Sequence, residues 1–218
     1  MPLKTLEPLS PVPGFDGLFT ARKGAARMVA ARLRRGRLAL YSPVPKPDDT
    51  ALEAARDLGG VTTILAPSHF HHLGIADWRA AFPDATVCAP AAAIPRLENR
   101  LGHSVFDTMP DLDRGLSLMS PPGLRAAEVW LRAEGPDGVA WAVCDAFAGP
   151  AGSEDSPADS PKARGAFATM CLGDKTAYKN WAMTRIDADR PVLLLPAHGN
   201  AVSGPALADG LAAIVEAL

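Results

Sequence analysis

The chain has 218 residues, which at ~150 residues per domain corresponds to a single domain of ordinary size. Hydrophobic residues make up 48% and charged residues 21%, enough apolar material for a sizeable core, so disorder and a disulfide-stapled miniprotein are excluded. Lys plus Arg total 22 against 24 Asp plus Glu, a net charge of −2, so no strong basic field exists to hold nucleic acid or an anionic membrane.

The first 17 residues contain Pro2, Pro8, Pro11, Pro13 and Gly14 and read as an extended lead-in. They lack the basic-then-apolar order of a secretory signal. Arg27 to Tyr41 reads as two strands around Arg35-Gly36. Pro47-Asp48-Asp49-Thr50 is built to start a helix carrying Leu52, Ala55 and Leu58, and Gly59-Gly60 to stop it. Val61 to Ala66 is β-branched and bounded by Pro67, the pattern of a buried strand. A histidine-rich loop follows, then a short helix from Ile75 to Phe82, a strand at Thr86 to Ala89 and a helix from Ala91 to Asn99.

Leu116 to Met119 is strand-like. Val129-Trp130-Leu131 and Val139 to Val143 flank Glu134-Gly135-Pro136-Asp137-Gly138, a hairpin signal. Residues 148–165 are rich in Gly, Ser, Pro, Ala and Asp and read as a flexible surface loop. The spacing predicts a helix at Lys175 to Met183, a buried strand at Val192 to Leu195 and a last helix beginning near Ser203. This order predicts mixed sheets covered by helices, with at least two sheets packed together, in one domain over 1–218.

Three of the five histidines, His69, His71 and His72, fall within four positions directly after a buried strand. Loops at strand ends display reactive groups on a rigid scaffold, and neutral imidazoles are metal ligands. Asp145 and His198 likewise follow apolar strands, although an isolated Asp there is also an ordinary turn former. His103 reads as structural. The cysteines, Cys88, Cys144 and Cys171, form no C-x-x-C pair, which argues against a cysteine zinc site and fits a reducing cytoplasm. Ser68 lacks a G-x-S-x-G elbow, and no nucleotide-binding glycine loop is present.

In this order the chain resembles the metallo-β-lactamase fold superfamily, whose pattern is a strand, then H-x-H-x-D-H-x-G, a middle histidine, a strand-ending aspartate and a strand-ending histidine. The stretch Pro67-Ser68-His69-Phe70-His71-His72-Leu73-Gly74 overlays that motif without a gap, with Pro67 on the first histidine, His71 on the aspartate and Gly74 on the glycine. Leu124 stands where the middle histidine is expected, and Asp145 and His198 match the last two ligands.

The resemblance implies an α+β fold, a four-layer αββα sandwich of two mixed β-sheets flanked by helices. One of the family's two metal sites would lose ligands at Pro67 and Leu124. The other would keep His71, His72, Asp145 and His198, holding at most one divalent metal, with zinc best suited and iron or manganese as alternatives. In a second register, with a gap, His69 and His71 are the paired ligands, since residues i and i+2 of an extended segment face the same side. The implied activity is metal-dependent hydrolysis of a small-molecule ester, thioester or phosphoester, with Asp145 at the centre and His69 either supporting the ligands from behind or acting as general base. The alternative is a scaffold that has lost metal and chemistry and serves a binding role. Residues 101–115 and 148–185 would set specificity, with Phe167, Tyr178 and Trp181 as pocket or packing residues.

Overall fold

The computed structural model describes residues 5–106, 109–151 and 160–218. A first sheet carries six strands adjacent in chain order: β1 (Ser10–Pro11), β2 (Leu18–Lys23), β3 (Ala26–Arg32), β4 (Leu38–Tyr41), β5 (Val61–Leu65) and β6 (Thr86–Cys88). The first four pair antiparallel. The pairs β4/β5 and β5/β6 are parallel. Helix α1 (Asp49–Asp57) makes the first of these crossovers and α2 (Ile75–Ala81) the second. Helix α3 (Ile94–Leu101) follows β6.

The second half supplies β7 (Leu116–Met119), β8 (Trp130–Gly135) and β9 (Gly138–Val143), then a small pair, β10 (Phe147–Ala148) and β11 (Lys162–Ala163). Helix α4 (Lys175–Asp189), β12 (Leu193–Pro196), β13 (Val202–Ser203) and α5 (Leu207–Glu216) complete it. The second sheet has the order β13-β12-β9-β8-β7, with β12 parallel to β9.

Strand alternation divides the apolar residues among three cores. In β3, Met28 and Ala30 face α1, α2 and α3, while Val29 and Ala31 face the other sheet. In β9, Trp141 and Val143 face α4 and α5, while Ala140 and Ala142 face the first sheet. The result is the expected α+β sandwich in four layers, αββα. Its outer core beneath α4 is aromatic, with Trp130 and Trp141 centroids 5.2 Å apart and Trp130 5.6 Å from Phe147. Tyr178 and Phe167 are buried there, so both are packing residues, and Phe167 also reaches a cleft described below.

Local signals explain most elements. Asp48 caps α1, its carboxylate accepting from the Ala51 N–H at 2.9 Å. Pro136 and Asp137 turn the β8–β9 hairpin between the paired Gly135 and Gly138. Other elements differ from the sequence reading. Part of the lead-in is structured: Ser10–Pro11 forms an edge strand and Leu6, Leu9, Val12 and Phe15 are buried. The loop 148–165 contributes to β10 and β11 at its two ends, and its residues 152–159 lie outside the described residues. Helix α4 runs six residues beyond Met183 because Ile186 is buried and Asp189 accepts from Trp141 Nε1 at 2.9 Å.

Candidate metal centre

Parallel pairing places the site. Because β4 runs parallel to β5, Ser42 and the histidine loop emerge at the same end of the first sheet's strands. Because β9 runs parallel to β12, Asp145 and His198 emerge together from the second. The turn between β2 and β3 joins the two: Arg27 N–H donates to Ala197 O at 3.0 Å and Gly199 N–H to Ala25 O at 2.8 Å.

Three potential ligands meet there, with one donor atom each from His71, Asp145 and His198 lying within 4.8 Å of one another. His71 Nε2 is 3.2 Å from Asp145 Oδ2 and His198 Nε2 is 3.3 Å from Asp145 Oδ1. The two imidazoles meet edge to face, with centroids 5.1 Å apart. Ser42 Oγ lies 2.7 Å from His71 Nδ1. With an ion bound, a His71 proton on Nδ1 donated to Ser42 would leave the Nε2 lone pair free to ligate it.

Asp145 is buried, which alone would raise its carboxyl, but the contacts with His198 and His71 and the charge of Arg164 outweigh burial and hold it well below the usual carboxylate range. Its Oδ2 is nevertheless buried without a hydrogen-bond partner, with His71 Nε2 3.2 Å away. A cation satisfies such an atom. With one donor atom of each residue within 4.8 Å of the others, the three are close enough to share one ion with ~2.0–2.1 Å bonds after small side-chain adjustments. Two imidazoles and a carboxylate therefore suit one zinc-like ion with a fourth position open.

Glu128, just before β8, sits behind Asp145. It is buried, and its Oε1 accepts from Cys144 N–H at 2.9 Å and its Oε2 from Asp145 N–H at 3.1 Å. Burial, and then the charge of Asp145, push its carboxyl up to about 7. The neighbouring Val129 N–H donates to Pro67 O at 2.8 Å, so the same segment also ties down the start of the histidine loop. Neither Glu128 nor Ser42 stands in a recognisable motif. The available signals were a lone acid opening the apolar run Glu128-Val129-Trp130 and a serine directly ending the strand Leu38 to Tyr41.

His72 and His69 lie elsewhere. His72 follows His71 on an irregular segment where consecutive side chains diverge, and it faces Arg96 and Arg100. A bend at His69 and Phe70 breaks the extended alternation that would have aligned His69 with His71. The His69 ring lies instead against the backbones of Ala92 and Ala127. Burial lowers the pKa of both, favouring neutral imidazoles, and neither lines the cleft. Pro67 is buried in the chain before the loop, and Leu124 packs on the aromatic core.

The three ligands open into a cleft of about 290 Å³. Its walls include Val44, Phe70, Leu73, Phe167 and Met170, and Arg164 enters beside Asp145.

Solved structures share this architecture over essentially the whole chain. The metallo-β-lactamase DIM-1, in a structure of the enzyme exposed to ceftazidime, is 13% identical with a TM-score of 0.64, covering 100% of this chain and 99% of that one. A diflavin flavoprotein fragment from Nostoc sp. PCC 7120 is 14% identical with a TM-score of 0.67, covering 98% and 96%. The mono-zinc form of the metallo-β-lactamase FIM-1 from Pseudomonas aeruginosa is 13% identical with a TM-score of 0.64, covering 97% and 96%. No protein-family model matches the sequence, and no curated protein matches it at a significant level. The chain has the metallo-β-lactamase fold. Among the described residues no helix is long and apolar enough to cross a membrane.

Proposed function

We propose that the protein is a single-metal hydrolase acting on a small-molecule ester, thioester or phosphoester. The observation that carries this reading is the meeting of His71, Asp145 and His198 beneath an open cleft, with Asp145 Oδ2 buried and unpaired. A divalent metal held by these three, with zinc favoured by the donor set, would polarise a carbonyl or phosphoryl oxygen and supply a nucleophile at neutral pH. The residues around it have separate tasks. Ser42 orients the His71 ring, and Glu128 holds the backbone that presents Asp145. Phe70 and Phe167 exclude water from one side of the centre. The role proposed from sequence for His69 as general base has no support in its position against Ala92 and Ala127. A cytoplasmic setting belongs to the same proposal and is supported by three buried free thiols.

Elemental analysis of protein purified without chelator tests the reading. Close to one equivalent of zinc, iron or manganese is expected, falling sharply in His198→Ala. Less than about a tenth of an equivalent after incubation with zinc would remove the proposal, since a three-ligand site of this kind binds far more tightly than that.

The rival reading, a binding scaffold without chemistry, is favoured by Pro67 and Leu124, which offer no side-chain ligand where a second metal would need them. A screen of chromogenic esters and phosphodiesters, with and without chelator, separates the two. Chelator-sensitive turnover supports the hydrolase, and a metal-loaded protein silent throughout supports the scaffold.

A further inference from the structure

We propose that Tyr41 is a positioning residue for the metal centre, its buried hydroxyl setting the spacing between the sheet that carries His71 and the sheet that carries Asp145 and His198. This deepens the single-metal reading above and rests on it. Tyr41 is the last residue of β4, buried and directly before Ser42. Its side chain enters the core between the two sheets, whose other buried residues are aliphatic apart from Phe15, Cys88 and Cys144. There its O–H donates to Val129 O at 2.6 Å, and Cys144 Sγ–H donates to its Oη at 3.4 Å. Burial, with the charges of Cys144 and Glu128 adding to it, raises the phenol above its ordinary value, so it stays protonated and keeps its donor.

Both partners of the hydroxyl adjoin the centre. Cys144 precedes Asp145, and Val129 follows Glu128, whose carboxylate accepts the Cys144 and Asp145 N–H groups. Val129 is gripped from the first sheet at both of its backbone groups, its N–H by Pro67 O and its C=O by Tyr41. The hydroxyl therefore links Ser42 and His71 on one side to Glu128 and Asp145 on the other. Apolar contact between sheets is non-directional and tolerates sliding, whereas a buried hydrogen bond fixes distance and angle. His71 reaches the centre from the first sheet and the other two ligands from the second, so any slide of the sheets changes the ligand separations. On the His198 side the turn between β2 and β3 makes the tie, through Arg27 N–H on Ala197 O. Tyr41 makes it on the Asp145 side.

The test is Tyr41→Phe, which removes one oxygen atom and keeps the ring. Zinc affinity by chelator competition, the visible spectrum of the cobalt-substituted protein and hydrogen exchange of the metal-free protein are compared with the wild type. The variant should bind zinc about tenfold or more weakly and show a displaced cobalt spectrum. In the metal-free protein the Cys144 and Asp145 amides should exchange about tenfold faster while amides within β9 change little. Leu131→Val, which trims the same core without touching the hydroxyl, is the control; it should lower the unfolding midpoint and leave zinc affinity and cobalt spectrum as in the wild type. Unaltered affinity and spectrum in Tyr41→Phe, or equal losses in Leu131→Val, overturn the proposal. So does faster exchange spread evenly over β9, which would report general loosening rather than a lost tie. Wild-type protein that takes up no zinc strikes the single-metal reading and this inference with it, whereas zinc bound with no dependence on Tyr41 strikes this inference alone.

Discussion

Glu128 holds Asp145 by its backbone, accepting the Asp145 N–H at 3.1 Å and the adjacent Cys144 N–H at 2.9 Å through its two carboxylate oxygens. Once ionised, above about pH 7, the carboxylate is acceptor-only and suits two converging donors. Glu128→Gln turns one acceptor into an NH₂ that faces an N–H. The strand end carrying Asp145 must then shift or leave a buried donor unpaired, at a cost of ~1–3 kcal/mol. Zinc affinity, measured by chelator competition, should fall by roughly 10–100-fold, the usual effect of removing support from a ligand. The visible spectrum of the cobalt-substituted protein should change as well. An unaltered dissociation constant and spectrum would show that Glu128 does not position the ligand.

The same residue predicts a pH effect on the stability of the metal-free protein. Its carboxyl is raised to about 7 from an ordinary 4.5, chiefly by burial. A raised folded-state pKa means that folding favours the protonated form. The stabilising contribution is complete below 4.5 and is lost as pH rises to about 7. The urea midpoint of the wild type, taken relative to Glu128→Gln, should therefore decline across that window and level off above it. A difference independent of pH would contradict the shift.

Ser42 acts on His71 through the 2.7 Å contact with Nδ1. Ser42→Ala leaves the ring free to turn and to exchange tautomers. Zinc affinity should weaken about tenfold while the unfolding midpoint moves little. Retained affinity would mean that packing alone orients the imidazole.

Gly74 allows the histidine loop to close against the first sheet. A Cβ at this position would lie 2.2 Å from Pro43 O, a backbone atom that cannot swing aside. Gly74→Ala should cost ~1–3 kcal/mol of stability by urea unfolding and reduce zinc uptake, since the loop bearing His71 must move. Gly165, where an added Cβ meets nothing within 4 Å, is the control and should tolerate alanine with little change.

The cysteines should be inert in the native protein. Burial pushes Cys88 up to about 11 and, with Asp145 and Glu128 adding to it, Cys171 up to about 12. Cys144 is likewise raised, by burial first. Thiolate is the reactive form, so at pH 8 a chromogenic disulfide should label little native protein and all three cysteines after denaturation. Rapid native labelling would point to Cys171, the thiol that lines the cleft.

Much of the scaffold could be read locally. The Asp48 cap, the β-branched run Val61 to Leu65 and the Gly135-Pro136-Asp137-Gly138 turn each carry their own stereochemical reason, and each became the element it predicted. The order of those elements was enough to expect two helix-covered sheets. Leu18–Lys23, to which the sequence reading assigned no element, forms β2, with Arg22 buried and bonded to Asn200 across 178 positions.

The site divides in the same way. Residue type and strand-end position were enough to single out the histidine loop, Asp145 and His198. Which histidine turns toward Asp145 depends on contacts distant in sequence: Ser42 on one ring nitrogen of His71, the close approach of Gly74 to Pro43, and the bend that sends His69 toward Ala92 and Ala127. Glu128 and Arg164 became visible only where the chain brought them beside Asp145. Local pattern records which faces of an element are apolar. The direction of one side chain in an irregular loop is set by its partners, and those come from the other sheet.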